Sequence, residues 1–258
     1  MITTCNEIIS VAFVGSGKVA NGLAEIFHSN NIQITGISSR NKETGKVLAA
    51  KVEAPFFDSA LDLTADLIIV AVADQFVNEV VSSFPNSHLV AFTAGSISLE
   101  NLKEVENRAV FYPLQTFTEG RSLTVRQIPI LLETTSNEVG ESLIQLCTKI
   151  GFIFQFCDSK KRKKIHLSAV FLNNFVNHLV YLAQDEASKN QVDWAIFEPL
   201  LQETFEKLKL LSPFEAQTGP AKRHDQLIIN EHLELLDGRK KEIYKILSES
   251  ITEIHSKK

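Results

Sequence analysis

Cysteine is scarce in this chain: Cys5, Cys147 and Cys157 are the three among 258 residues. They are odd in number and stand in no metal-ligand spacing, which argues against a disulfide framework and a zinc site and for a reducing compartment. No metal ion is expected. Long apolar runs are missing too, so no membrane span is expected. Met1 to Ile9 carries polar residues instead of the apolar stretch of a signal peptide, and the expected location is cytoplasmic. Nor is there an excess of positive charge. A formal net charge of −5 leaves no basic footprint for nucleic acid. The isolated basic run Lys-Lys-Arg-Lys-Lys at residues 160–164 reads as a solvated helix start, although part of it could attract an anionic substrate or cofactor. Internal repeats and low-complexity segments are also lacking.

What is present is ample length and 44% hydrophobic residues, enough for one large or two modest domains. The chain is organised around residues 10–27. A short apolar, β-branched run ends in Gly15-Ser16-Gly17, and apolar residues at helical spacing (Val19, Leu23, Ile26, Phe27) follow at once. That is a strand, a glycine turn and a helix. Gly15 allows the turn, Gly17 lets a ligand approach the backbone, and Ala20 is small enough for close helix–strand packing. The free N–H groups at the helix start, among them those of Lys18 and Val19, favour a pyrophosphate over the turn. A glycine pattern alone also occurs in turns that bind nothing. Its place, at the first strand and between the two elements the mechanism needs, favours dinucleotide binding.

The second strand, near residues 32–37, runs into Ser38-Ser39-Arg40. An acidic residue there would suit the ribose hydroxyls of NAD, whereas hydroxyls and a guanidinium suit a 2′-phosphate, so NADP(H) is the expected cofactor. The alternative is that Arg40 is a solvated loop cation.

Strands are then expected at residues 54–57, 65–72, 88–92, 109–117, 128–133 and 152–156, with helices at 41–52, 75–84 and 136–150. The apolar run at 65–72 has the composition of a central parallel strand covered on both faces. It ends at Ala73-Asp74, where Asp74 is placed to cap the next helix. The following strands deliver Thr93, Ala94 and Gly95, and then Gln115 and Thr116, to the same edge, where doubly wound sheets bind ligands. From residue 159 no convincing strand remains, and helices are expected at 159–190, 193–211, 222–236 and 239–255. The expected fold is therefore α/β: a Rossmann-like, doubly wound, mainly parallel sheet in residues 1–157, followed by an all-helical domain in residues 158–258.

The first helix of that second half is too apolar for an ordinary surface helix, yet carries imidazole and amide groups. His166, Val170, Asn173 and Asn177 share one face, with Asn174 and His178 on the adjoining stripe. Buried polar groups need partners, so this face is expected to meet a partner surface, a water network or a ligand. Arg223, at the start of a later helix, could hold a substrate carboxylate or pair with Asp225.

Together the Gly15–Ala20 stretch, Tyr112-Pro-Leu-Gln-Thr-Phe117, the helix with His166 and Asn173-Asn174, and Thr218-Gly-Pro-Ala-Lys-Arg223-His-Asp225 resemble a bacterial family. Its members pair a Rossmann-like NADP-binding domain with a helical C-terminal domain of unassigned function. That family is similar in fold to 6-phosphogluconate dehydrogenase, 3-hydroxyisobutyrate dehydrogenase, pyrroline-5-carboxylate reductase and ketopantoate reductase, and some members are linked to ketopantoate reduction. The resemblance implies a C-terminal domain like that of 6-phosphogluconate dehydrogenase and a homodimer formed through it.

One departure matters. In related hydroxyacid dehydrogenases a lysine precedes a His-Asn or Asn-Asn pair on the corresponding helix; aligning Asn173-Asn174 with that pair puts Val170 at the lysine position. His166, one turn earlier, could supply the proton instead, with Lys164 a weaker candidate. Tyr112 stands where the family would carry His. The expected activity is an NADP(H)-dependent oxidoreductase reducing a C=O or C=N bond of a small carboxylate-bearing substrate. His166 would be the acid, Asn173 and Asn174 the orienting groups, and Gln115, Thr116 and Arg223 the substrate contacts. The alternative is a non-catalytic NADP-binding sensor or dimeric scaffold.

Overall fold

The computed structural model describes residues 7–102, 106–121 and 124–256; Cys5 lies outside them. By internal contacts the chain divides into two compact units, residues 1–172 and 173–258.

The first unit is built on an eight-stranded sheet. Its strands are β1 (Ser10–Val14), β2 (Gln33–Ser38), β3 (Phe56–Phe57), β4 (Leu67–Val70), β5 (Val90–Phe92), β6 (Arg108–Pro113), β7 (Ile130–Thr134) and β8 (Phe154–Phe156), in the order β3-β2-β1-β4-β5-β6-β7-β8. Pairing is parallel except between β6 and β7. The direction of progression reverses between β1 and β4, the position at which doubly wound sheets bind nucleotides.

Four helices cover this sheet: α1 (Lys18–Ser29), α2 (Lys42–Lys51), α3 (Asp74–Ser83) and α4 (Asn137–Ile150). The amphipathic helix α1 buries Ala20, Leu23, Ala24 and Phe27. The Phe27 ring lies 5.9 Å from that of Phe13, 6.1 Å from Phe111 and 6.2 Å from Phe152, so one helical residue ties strands from both halves of the sheet together. A separate apolar cluster on other residues of β1, β4, β5 and β6 packs with α3. That is why β4 and β5 are apolar throughout. Buried Arg108 donates to the carbonyls of Phe84 (2.6 Å), Glu106 (2.8 Å) and His88 (2.9 Å), which satisfies most of its guanidinium.

Helix α5 (Ser159–Ala169) follows β8, then a π-helical segment (Val170–Phe175), then α6 (Val176–Lys189). The division between the two units falls inside the π-helical segment. The second unit continues with α7 (Glu198–Glu206), α8 (Pro213–Ala216), α9 (Gln226–Leu235) and α10 (Gly238–Ser256). Lys240 on α10 pairs with Asp185 and Glu186 on α6, each at 2.7 Å. The Phe214 ring stacks on His255 at 4.3 Å.

Several local expectations need correction. Asp74 is the first residue of α3, not its cap; Ala73 holds the cap position, and the Asp74 carboxylate instead accepts a hydrogen bond from Ser96 Oγ. The helix expected from residue 222 starts at Gln226, because His224 adopts a left-handed conformation (φ 57°) and Asp225 caps the helix through the N–H of Ile228 (3.3 Å). The helix expected at 193–211 is a short α7 between two 3-10 turns. A Ser212–Glu215 capping box around Pro213 then starts α8.

Candidate functional site

The carboxyl ends of β1, β2, β4, β5 and β6 form one edge of the sheet. At the end of β1, Gly15 has φ 116°, its N–H donates to the Ser38 carbonyl (2.7 Å), and a Cβ there would lie 2.3 Å from the carbonyl oxygen of Ala71. Only glycine fits. Gly17 caps α1 with no side-chain hydrogen bond, and a Cβ there would meet nothing within 4 Å, so the space over the helix start is open to a ligand. Lys18 is exposed beside it, while Val19 packs toward the core. Asn21 Nδ2 donates to the Ser16 carbonyl at 2.9 Å and holds the turn. These features fit a pyrophosphate against the amino end of α1.

The end of β2 supplies a hydroxyl cluster. Ser16 Oγ lies 2.8 Å from Ser39 Oγ and 2.6 Å from Thr44 Oγ1, where Thr44 belongs to the first turn of α2. Exposed Arg40 sits beside Ser39, its guanidinium 4.9 Å from the centre of the Phe76 ring. Ser38 is buried, so its contribution is the carbonyl that anchors Gly15 and not its hydroxyl. Thr44 escaped the sequence reading because it lies beyond the strand end, on the next helix; its only signal is its place just after Asn41, which caps α2.

A cavity of about 720 Å³ runs from this turn along α1 and α2, lined by Ser16, Lys18, Thr44, Lys51, Phe117 and Arg121 among others. The Phe117 ring lies against Gly22, where a Cβ would come within 2.0 Å of it. Glycine at 22 therefore serves packing of the segment after β6 on α1.

Farther along the edge, Thr93 N–H donates to the Val70 carbonyl (3.1 Å), and Ala94 and Gly95 are buried. Gly95 faces two side chains at once. Tyr112, near the end of β6, brings its hydroxyl 3.0 Å from Nδ1 of His166 on α5, with the rings edge to face at 6.0 Å. Burial first, and then the negative charge of Asp74, push the Tyr112 phenol upward, while Arg162 opposes the rise. Gln115 and Thr116 are exposed; the Gln115 amide is engaged locally, donating to the Gln127 carbonyl at 2.8 Å and accepting from Thr116 N–H at 2.9 Å.

Helix α5 is set by a residue that the charge pattern mislabels. Arg162 lies within the basic run expected to be solvated, yet it is 0% exposed. It pairs with Glu133 on β7 and donates to the Ile97 carbonyl. Ser159 Oγ donates to the same Glu133 carboxylate (2.7 Å) and accepts from Leu99 N–H (3.0 Å). Lys160, Lys161, Lys163 and Lys164 do remain exposed. The helical period explains the difference, because Arg162 is on the inward face that His166 occupies one turn later.

The second unit holds Asn173, Asn174 and Arg223. All three are exposed in the single chain, as are Asn177 and His178, so within one copy no other part of the protein encloses these amides. Among the described residues no ion pair joins Arg223 to Asp225, whose carboxylate instead caps α9. Among those residues no cluster of His, Cys, Asp and Glu could hold a metal, and no helix is long and apolar enough to cross a membrane.

A Rossmann-like, mostly parallel sheet followed by helices defines the class, and comparison with known proteins narrows it. Residues 10–94 match the family described as NADP oxidoreductase, coenzyme F420-dependent, and residues 128–251 match a domain of unknown function, DUF2520. A crystal structure from Bacteroides fragilis, provisionally assigned as an NADP oxidoreductase, is 32% identical, with 97% of this chain and 100% of that one covered and a TM-score of 0.88. The chain belongs to the same family as that NADP oxidoreductase. An imine reductase from Myxococcus stipitatus, solved with NADP+, shares the fold at 12% identity, covering 96% and 93% of the two chains with a TM-score of 0.68. So does 1-pyrroline-5-carboxylate reductase from Streptococcus pyogenes, at 17% identity, 95% and 97% coverage and a TM-score of 0.60. None of the curated proteins matches.

Proposed function

We propose that this protein is an NADPH-dependent reductase acting on the C=O or C=N bond of a small carboxylate-bearing substrate, of the class that ketopantoate and pyrroline-5-carboxylate exemplify. The carrying observation is the cluster of three hydroxyls, Ser16, Ser39 and Thr44, beside Arg40 at the carboxyl end of β2. Hydroxyl donors and a guanidinium there suit a 2′-phosphate, where NAD sites use a carboxylate. The turn at Gly15, Ser16 and Gly17, with Lys18 and Val19, holds the pyrophosphate; Ala73, Asp74, Thr93, Ala94 and Gly95 border the nicotinamide half.

The cofactor supplies the hydride. His166 gives the proton to the developing oxygen or nitrogen anion. Asn173 and Asn174 orient the reacting group or the nicotinamide amide, Arg223 grips the carboxylate, and Gln115 and Thr116 contribute to the substrate wall. In this reading residues 1–157 form the cofactor domain and residues 158–258 the domain for substrate and dimerisation. A second copy covers the helical half, where Leu172, Leu210 and Leu235 are 73%, 87% and 80% exposed. A cytoplasmic location accords with the free, buried thiols of Cys147 and Cys157.

Fluorescence titration with NADPH and NADH tests the cofactor assignment. NADPH is expected to bind at least about tenfold more tightly, and Arg40→Ala to remove most of that preference. Equal affinities would overturn it. Oxidation of NADPH in the presence of ketopantoate or pyrroline-5-carboxylate then tests the activity. A second reading, a non-catalytic NADP-binding sensor or dimeric scaffold, is favoured by Val170, which occupies the position of the lysine in related dehydrogenases. Tight NADPH binding without oxidation by either compound, or by a wider panel of 2-keto acids and imines, would select it.

A further inference from the structure

We infer that Tyr112 is a positioning residue for His166: its hydroxyl holds the imidazole by Nδ1 and leaves Nε2 as the one ring nitrogen able to meet a substrate. Three observations carry this. The hydroxyl and Nδ1 are 3.0 Å apart, with the rings edge to face. The partners come from different elements, the carboxyl end of β6 and the second turn of α5, so the contact is tertiary. The third is the bare backbone at Gly95, where a Cβ would sit 2.8 Å from Tyr112 Cζ and 3.1 Å from His166 Nδ1. Gly95 thus makes room for the pair.

The base of the arrangement is rigid. Arg162, one turn before His166, is locked to Glu133 and the Ile97 carbonyl, which fixes the rotation of α5 and with it the direction of the imidazole. A hydroxyl is suited to this duty because it both donates and accepts. It accepts from Nδ1–H of the imidazolium and donates to Nδ1 of the neutral ring, so the ring stays held on both sides of a proton transfer. The Nε2–H bond of the imidazolium breaks as an O–H or N–H bond forms on the substrate, while hydride from NADPH forms the C–H bond and leaves NADP+. Burial and the nearby Asp74 charge keep the phenol protonated, so it acts as a hydrogen-bond partner and not as the acid.

The kinetic consequence rests on the reductase reading; the hydrogen bond does not, and the two are tested separately. In ¹⁵N-histidine NMR of the full chain without substrate, the His166 signals are assigned by their loss in His166→Gln. Tyr112→Phe is expected to move the Nδ1 resonance of His166, and Nε2 with it as the tautomer balance changes; an unmoved Nδ1 would overturn the inference. With NADPH and whichever of ketopantoate or pyrroline-5-carboxylate is reduced, Tyr112→Phe is expected to lower kcat about tenfold with the NADPH Kd unchanged. In a His166→Gln background the same substitution should change kcat less than about twofold, because two residues acting as a unit are not additive. Full additivity would mean that Tyr112 acts apart from His166. Gly95→Ala, which crowds the same pair, should shift Nδ1 as well; if it leaves Nδ1 unmoved, the packing argument fails. A shifted Nδ1 in a protein that oxidises no NADPH would keep the hydrogen bond and defeat the reductase reading alone.

Discussion

The two units of this chain handle apolar surface in opposite ways. In residues 1–172 the apolar side chains of β1, β4, β5 and β6 are almost completely buried, and even Arg108 and Arg162 are enclosed. In residues 173–258 the buried apolar side chains are few and small, such as Ala187, Ala216, Ala221 and Ile229, while Leu200, Leu210, Leu227 and Leu235 are exposed. The first unit therefore carries its own stability, and the second has an apolar surface that a single copy leaves open to water.

The largest expected effect lies in the first unit. Glu133→Ala leaves the Arg162 charge buried without its carboxylate, and loss of one partner of a buried pair costs about 3–5 kcal/mol. Urea denaturation measures it; a loss under about 1 kcal/mol would mean that the carbonyl of Ile97 and the remaining groups are enough to hold the guanidinium. Gly15→Ala comes next. It forces a left-handed conformation on a residue with a Cβ against the Ala71 carbonyl, at a cost of about 2–3 kcal/mol and with loss of NADPH binding.

In the second unit the expected change is in assembly more than in folding. Joint replacement of Leu210, Leu227 and Leu235 by Glu should weaken self-association at least about tenfold in sedimentation while leaving NADPH binding in place. A dimer that survives would locate the interface elsewhere and soften the contrast between the units.

Smaller effects sharpen the same contrast through titration. Burial pushes the Cys147 thiol up to about 12, so at neutral pH almost none of it is thiolate. Alkylation of Cys147 should then follow unfolding of the first unit; rapid labelling of the native protein would show that its core opens locally. In the second unit, hydrogen bonds from Lys240 hold the Asp185 and Glu186 carboxyls below the usual range. Groups depressed in the folded state stabilise above their unfolded values and lose that contribution as pH falls through the folded ones. Acid should therefore weaken the α6–α10 contact, slightly because these carboxylates are partly open to solvent, and Lys240→Met should flatten the dependence.

The alternation of apolar runs with Gly15-Ser-Gly17 at the first of them was enough to specify a doubly wound, Rossmann-like sheet, because strand periodicity and glycine geometry are local properties of the chain. Ser39 and Arg40 were equally legible, being adjacent to a strand end. Thr44 was not, since it reaches Ser16 only after α2 packs beside α1. Arg162 defeated a reading by composition, because whether a cation faces water or a carboxylate on a distant strand depends on how its helix is docked. Asn173 and Asn174, expected to meet a partner surface, a water network or a ligand, are exposed in the single chain, because the apolarity of a helix reports the composition of a face and not what lies against it.

By itself, then, the order of residues determined the α/β class, the succession of elements and the glycine turn, all consequences of short-range sterics and hydrophobic spacing. Only the tertiary structure decided which side chains from separate elements come within hydrogen-bonding reach: Ser16 with Ser39 and Thr44, Glu133 with Arg162, and Tyr112 with His166. Those contacts join residues from 23 to 54 positions apart, and no local preference encodes a meeting that depends on how helices settle on a sheet.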